Sequence, residues 1–472
     1  MGFRNRGRSK RGEMMNLLSS VLEKIRPSKE DEDKLQEVVN KLLERARKVC
    51  EEEGMGKPML VGSAARNTWL KGEKDIDIFI LLPETLPREK LEEIGLRICR
   101  KIAGGKGREK YAEHPYVTFE FEGFEVDLVP CYEISDPRKI KSAVDRSPHH
   151  QAYVSPRLTP ALRDQVLLLK QFMKGLGVYG AELKIHGFSG YLCELLILHA
   201  GGFLELLKQA ANWKPGQVID LEKHYPNEDE PRRIFENQPL IVVDPVDPGR
   251  NVAASVSLQT FTIFVRGCQD FLANPREEFF FPKEIKRLRK SELVRILRRR
   301  GTEVYCIVFK LPDLVPDVLY PQLRKTERAL VTVLTEAGHK VIRSDVWGEG
   351  TGAILLEVQP CVEKIEVREG PPLGVSAENF VRSYLLSPIK LAGPFINPSG
   401  RVVYELESHR PSPEKVIRET LKEKHLLGKN IGEVLQRGYR LLRTASIPNL
   451  LDHPHLSLFI SDYFTKCLPW YR

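Results

Sequence analysis

The sequence predicts an α+β protein of several domains. A small α/β head comes first, then a helical centre, then a second α+β body that ends in a helical tail. Three observations carry this. The chain has 472 residues, enough for about three domains. Its first third alternates helical apolar stripes with short strand-like runs, and the next stretch is helical alone. After residue 300 the order becomes strand, helix, strand, strand, helix, strand. We place the head at 14–150, the helical centre at 151–275, the body at 276–410 and the tail at 411–472.

Residues 1–13 form an Arg/Lys/Gly arm. Such composition buries little, so we expect a disordered tail. The other readings are an RNA-touching arm and an early start ahead of Met14. Residues 28–53 read as a helix: Ser28 and Asp31 make a capping pair, and Leu35, Val38, Val39, Leu42, Leu43, Ala46 and Val49 fall on one stripe. Leu60-Val61 ends one strand, Asp77 to Leu82 forms the next, and a helix follows near 88–103. Residues 117–130 read as a hairpin that turns near Gly123. Thr159 caps a helix whose first position is Pro160, with Leu162, Val166, Leu167, Lys170 and Met173 along it. A strongly apolar helix is expected over 190–206 and another over 256–273, the latter ending at Asn274-Pro275. In the body, strands fall near 302–311, 339–346, 352–359 and 401–407, with helices near 320–337 and 376–387. That order is ferredoxin-like or RRM-like. It carries no RNP aromatic signature, so it either binds RNA by shape or serves as a spacer.

The most informative residues are in the head. Gly62-Ser63 opens a turn or short helix, and Asp75 and Asp77 stand two apart on the strand that follows. A strand alternates its side chains, so both carboxylates share one face while Ile76 points away. Asp127, flanked by Val126 and Leu128, adds a third carboxylate from the hairpin. Hard Mg²⁺ prefers carboxylate and phosphate oxygens together, and backbone N–H groups at a helix start can hold phosphate oxygens. The pattern therefore suits metal ions and a triphosphate.

The segment GSAARNTWLKGEKDIDIFILLP resembles the signature of the archaeal-type, class I CCA-adding enzymes, tRNA nucleotidyltransferases of the polymerase-β-like superfamily. The blocks FEVDLVPCYEI, SAVDRSPHHQAYV, LLKQFMKGLGVYGAELKIHGFSGYLCELLI and VVDPVDPGRNVAASVS continue that resemblance over about residues 60–260. Beyond them it rests on layout. The resemblance implies a polymerase-β-like nucleotidyltransferase head that adds CCA to tRNA from CTP and ATP without a nucleic-acid template, releasing pyrophosphate. Asp75, Asp77 and Asp127 would be the catalytic, metal-holding carboxylates for two Mg²⁺ ions. Ser63 and Arg66 match phosphate-turn positions, and Lys170 and Tyr179 match positions on triphosphate or sugar. His150 matches a nucleotide-contacting histidine. The common pattern has an aromatic before it and a second His after it, whereas here His149 precedes and Gln151 follows, which leaves His149 as the alternative. Arg250, with Asp247 and Asn251 beside it, matches the base-reading arginine; a turn built by Pro245, Pro248 and Gly249 explains the same block.

Residues 283–300 carry nine Lys/Arg and two acids on an amphipathic pattern. Arg295, Arg298, Arg299 and Arg300 are the candidate RNA contacts, set against a plain solvated face. Net charge is +9, with 42% hydrophobic and 29% charged residues, a globular composition that favours a polyanionic partner. The cysteines at 50, 99, 131, 193, 268, 306, 361 and 467 include no Cys-x-x-Cys. They read as buried free thiols of a cytoplasmic protein. No apolar run suits a membrane span or a signal peptide. Monomer and homodimer are both open. Two other functions compete. A poly(A) polymerase or oligoadenylate synthase shares the aspartates, but the Asp-Arg-Ser-Pro-His-His and Asp-Pro-Val-Asp blocks speak against it. A non-catalytic RNA-binding protein is disfavoured by three intact carboxylates.

Overall fold

The computed structural model describes residues 2–111, 115–360, 365–407 and 411–472. It forms two compact units, Met1–Glu284 with Cys467–Arg472, and Ile285–Lys466.

In the first unit, helix α1 (Gly2–Ile25) corrects the expected disordered arm. Its Leu18, Val21 and Ile25 are buried in the helical core, with Met14, Leu17 and Leu22 packed beside them. That apolar stripe stabilises the helix despite its basic start. Helix α2 (Lys29–Glu52) begins at the expected Ser28–Asp31 capping box. Then follow β1 (Lys57–Val61), α3 (Gly62–Arg66), β2 (Asp75–Pro83), α4 (Arg88–Ala103), β3 (Arg108–Tyr111), β4 (Pro115–Phe121) and β5 (Phe124–Glu133). The sheet order is β1-β2-β5-β4-β3. β2 and β5 pair in parallel, which requires a crossover, and α4 supplies it. Ile76, Ile78, Ile80 and Leu82 alternate into a core shared with Leu35, Val38, Leu42, Leu91 and Ile98. The opposite face of β2 therefore carries Asp75 and Asp77. The hairpin turn falls at Glu122-Gly123, both with positive φ.

The helical part contains α5 (Arg146–Val154), α6 (Pro160–Leu176), α7 (Gly190–Ala200), α8 (Phe203–Ala210), β6 (Gln217–Ile219), α9 (Asp229–Ile234), β7 (Leu240–Val242) and α10 (Leu258–Ala273). Thr159 accepts from the Leu162 amide, capping α6 as expected. The single helix expected over 190–206 is two helices meeting at 91°. Gly201, at φ +78°, ends α7 in the left-handed region, where glycine carries no Cβ penalty. The expected boundary at Asn274-Pro275 is also too early, because Phe279 and Phe280 are buried in the helical core. Trp470 returns to the same core, stacked on Phe279 at 5.5 Å with its indole N–H donating to Asp270. No single helix is long and apolar enough to cross a membrane; the bent α7–α8 pair passes by length and composition, and its apolar residues fill this core.

The second unit runs α11 (Lys290–Arg300), β8 (Glu303–Phe309), α12 (Pro316–Glu336), β9 (Val341–Glu349), β10 (Thr351–Val358), β11 (Ile365–Glu369), α13 (Glu378–Leu385), β12 (Lys390–Ile396), β13 (Val402–Glu407), α14 (Pro413–Thr420), α15 (Lys429–Arg437), β14 (Arg440–Arg443) and α16 (Ser457–Thr465). Its main sheet has the order β14-β8-β10-β9 with antiparallel neighbours. The strand expected near 401–407 is not its fourth member. β13 instead pairs with β11 and β12 in a separate three-stranded sheet, and β14 from the expected tail completes the main sheet. Alternate strand residues feed two cores. Tyr305, Ile307, Ile354 and Leu356 face one containing Leu323, Leu330, Ile417 and Ile431. Cys306, Val308, Ala353 and Leu355 face another containing Leu293, Leu297, Ile460 and Tyr463. Both faces are covered, so this sheet offers no open RRM-type platform. Six of the cysteines are buried thiols; Cys467 is exposed, against expectation, and Cys361 lies outside the described residues.

Candidate active site

Asp77 on β2 and Asp127 on β5 stand directly opposite in the parallel register, with Asp75 one step along the same face. Burial, then the charges of Asp127 and Asp75, push the Asp77 carboxyl up to about 6. Burial also raises Asp75, helped by Glu73, Glu125 and Asp127. Asp127 is raised by burial and partly restored by Thr118, whose hydroxyl donates to Oδ1 at 2.5 Å from the paired position on β4. Three partly or wholly buried carboxylates, each shifted upward, are a site short of positive charge. Among the described residues no three His, Cys, Asp or Glu side chains form a ready metal cage. The oxygen-only donor set of the three carboxylates suits a hard divalent cation that completes its shell with water and substrate phosphate.

The turn from β1 into α3 lies against this site. Gly62 has φ +77°, and a Cβ there would fall on the Asp77 carboxylate. Only glycine satisfies both demands. Ser63 follows in the first turn of α3, whose N-cap, Val61, provides no side-chain bond. Arg66 is buried, with Nε on Glu194 at 2.9 Å and a terminal nitrogen on Gln151 at 2.7 Å. Thr68 also donates to Glu194, at 2.6 Å. Lys170 differs from expectation. Its side chain is fully enclosed and its ammonium donates to the Thr68 carbonyl at 2.7 Å, while burial lowers its pKa. In this arrangement Lys170 ties α6 to the segment that follows α3. Tyr179 is bridged to Phe188 along the backbone, and the Lys174 ammonium sits 5.4 Å above its ring.

His150 is the histidine that the structure brings to the site. It lines a cleft of about 210 Å³ with Gly62, Arg66, Asp77, Ser147 and Tyr191. Its ring stacks on Tyr191 at 4.0 Å, and Nε2 lies 2.8 Å from Asp244. Burial lowers the imidazole pKa, against the pull of Asp244. Because a carboxylate only accepts, Nε2 carries a proton in this pair. Asp244 is wholly buried and also takes Arg250 at 2.7 Å. Asp247 binds Arg146 at 2.8 Å instead of Arg250. Asn251 makes a structural turn, accepting from the Val242 and Ala253 amides and donating to the Leu240 carbonyl.

Arg295, Arg298 and Arg299 are exposed on α11 and form no ion pair among the described residues. Arg300 is a correction: it grips the buried Glu357 through two bonds of 2.6 and 2.9 Å, so its fork serves the fold. Sequence reasoning missed Glu194 and Asp244, both fully buried. The signal for Glu194 was present, a carboxylate inside the apolar run Leu-Cys-Glu-Leu-Leu. Asp244 begins the Asp-Pro-Val-Asp block, but sequence alone does not say which of the two aspartates points inward.

Paired carboxylates on parallel strands beside a glycine turn define a nucleotidyltransferase. Accordingly, residues 43–150 match the nucleotidyltransferase domain family. Residues 164–281 match the second domain of tRNA nucleotidyltransferase, and 300–444 the C-terminal domain of the CCA-adding enzyme. The chain is 39% identical to the CCA-adding enzyme of Methanosarcina barkeri, covering 92% of this chain and 95% of that one. It is 39% identical to that of Methanothermobacter thermautotrophicus, over 89% and 92%, and 39% identical to that of Halobacterium salinarum, over 82% and 85%. Among solved structures, a Cid1 poly(U) polymerase with MgGTP bound aligns at TM-score 0.46 and 14% identity, covering 57% of this chain and 98% of that one. This chain belongs to the CCA-adding enzymes. It is a tRNA nucleotidyltransferase that adds the 3′-terminal CCA, and the poly(A) polymerase and non-catalytic readings fall away.

Proposed function

We propose that CCA addition is carried out at the face shared by β2 and β5. The observation that carries this is the direct register of Asp77 with Asp127, beside the glycine turn that only Gly62 can make. Asp75, Asp77 and Asp127 are the residues to hold two Mg²⁺ ions. Bound there, such ions lower the pKa of an attacking hydroxyl and neutralise the leaving pyrophosphate. Ser63 offers its hydroxyl to the triphosphate. Arg66 is held by Glu194 and Gln151 at the cleft wall, where its charge favours phosphate. His150 and Tyr191 form the wall beside the nucleotide, and Tyr179 belongs to the sugar side. Arg250 reads the base. Arg295, Arg298 and Arg299 contact tRNA phosphates, and the second unit is a ferredoxin-like RNA-binding body. Buried thiols suit a cytoplasmic location.

Changing Asp75, Asp77 or Asp127 to Ala should lower nucleotide addition by about a thousandfold or more, since several kcal/mol of transition-state stabilisation depend on them. Affinity for tRNA should stay within about threefold, because phosphate contacts elsewhere supply it. Near-normal turnover in a folded variant removes that residue from the site.

A further inference from the structure

We propose that Asp244 is a positioning residue for base choice: it fixes the Arg250 fork and the His150 ring in one geometry. This rests on the assignment of Arg250 as base reader. Arg250 sits at the end of a tight loop. The Asp244 amide donates to the Arg250 carbonyl at 3.0 Å, and the Arg250 amide donates to the Asp247 carbonyl at 2.9 Å. The loop neck is thus closed by backbone bonds, and only the side chain of Arg250 needs further direction. Asp244 gives it. One oxygen, Oδ2, accepts from His150 at 2.8 Å and Arg250 at 2.7 Å. The other, Oδ1, accepts from the Val246 amide at 3.1 Å and from the Tyr191 hydroxyl at 3.4 Å.

Helix α5 supplies the frame. Arg146 and His150 lie one turn apart on it and grip Asp247 and Asp244, so the loop is pinned at both tip and neck. The same helix sends Gln151 to Arg66 and lines the Asp77 cleft with Ser147 and His150. One rigid element therefore ties the phosphate turn to the loop that carries Arg250. The rest of the Arg250 fork has no protein partner among the described residues, and its side chain is about one-third exposed. Those donors are left for a ligand with acceptors, such as a base edge. Asp244→Asn keeps the volume but brings an NH₂ group toward two donors. An NH₂ in place of Oδ2 loses the bonds to both Arg250 and His150, one in place of Oδ1 opposes the Val246 amide, and in either orientation Arg250 loses its charge partner.

The test is single-nucleotide extension of tRNA ending before its first C, and then before its terminal A, with each of the four triphosphates. Parent, Asp244→Asn and Arg250→Ala are compared, alongside tRNA affinity and melting temperature. Asp244→Asn should raise the use of U or G relative to C or A by about tenfold, with tRNA affinity unchanged. Arg146→Gln, which frees only the tip of the loop, should move selectivity the same way and serves if Asp244→Asn does not fold. Parent selectivity in the folded variant, with Arg250→Ala still impaired, overturns the role of Asp244 and leaves Arg250 in place. Parent selectivity in both Asp244→Asn and Arg250→Ala overturns the base-reading assignment itself.

Discussion

At the scale of single residues, the site keeps charges where the fold would prefer none. Asp77 has a carboxyl pushed from 3.8 to about 6 by burial and by its two neighbours. A carboxyl whose folded pKa lies above its unfolded one binds more protons folded than unfolded between those values. Stability therefore falls as pH rises from about 4 to about 6, and the loss is complete above that. A rise of that size corresponds to about 2–3 kcal/mol at most. Asp77→Asn should melt above the parent at pH 8 in EDTA, with the advantage fading toward pH 4. A constant difference across that range would mean that the ionised carboxylate is not strained. Glu194 teaches the complementary lesson. A buried carboxylate persists in an apolar helix because Arg66 pairs its charge and Arg66 and Thr68 both donate to Oε1, although Oε2 accepts no hydrogen bond among the described residues, and sequence shows the carboxylate but not its partners.

At the scale of elements, α11 combines two roles that its composition merged into one. Arg300 points at Glu357, which also accepts from Thr302 at 2.6 Å. Arg300→Ala leaves a buried carboxylate short of its cation and should cost about 2–3 kcal/mol, read as a lower denaturation midpoint. Arg298→Ala, at an exposed position on the same helix, should change stability by less than about 0.5 kcal/mol. Equal effects would contradict the division. Strong local periodicity made α2, α4, α6 and α10 legible in sequence, as did the alternation that put Asp75 and Asp77 on one face. The α7–α8 bend was missed because both halves are apolar, although Gly201-Gly202 marks the break. β14 was missed because Arg440-Leu441-Leu442-Arg443 is short, and its place depends on pairing with β8 rather than on its own pattern. β13, a good strand by composition, went to a different sheet for the same reason: strand propensity does not choose a partner.

At the scale of the whole molecule, the net charge of +9 fits a polyanionic substrate, and three domain families match in succession along the chain. Affinity for tRNA should fall steeply with salt. Replacing Arg295, Arg298 and Arg299 with Gln should reduce the slope of log affinity against log salt by about 2–3, at about 0.7–0.9 for each phosphate no longer neutralised. An unchanged slope makes that face of α11 a solvated one. The central claim, that one site adds C, C and A in order without a nucleic-acid template, has a direct measurement. A tRNA lacking its last three nucleotides is incubated with the protein, Mg²⁺, CTP and ATP, and its 3′ ends are sequenced. The account predicts ends completed to CCA and no further, with Asp77→Ala leaving them bare. Ends extended by runs of A, or left unextended by the parent protein, would contradict it.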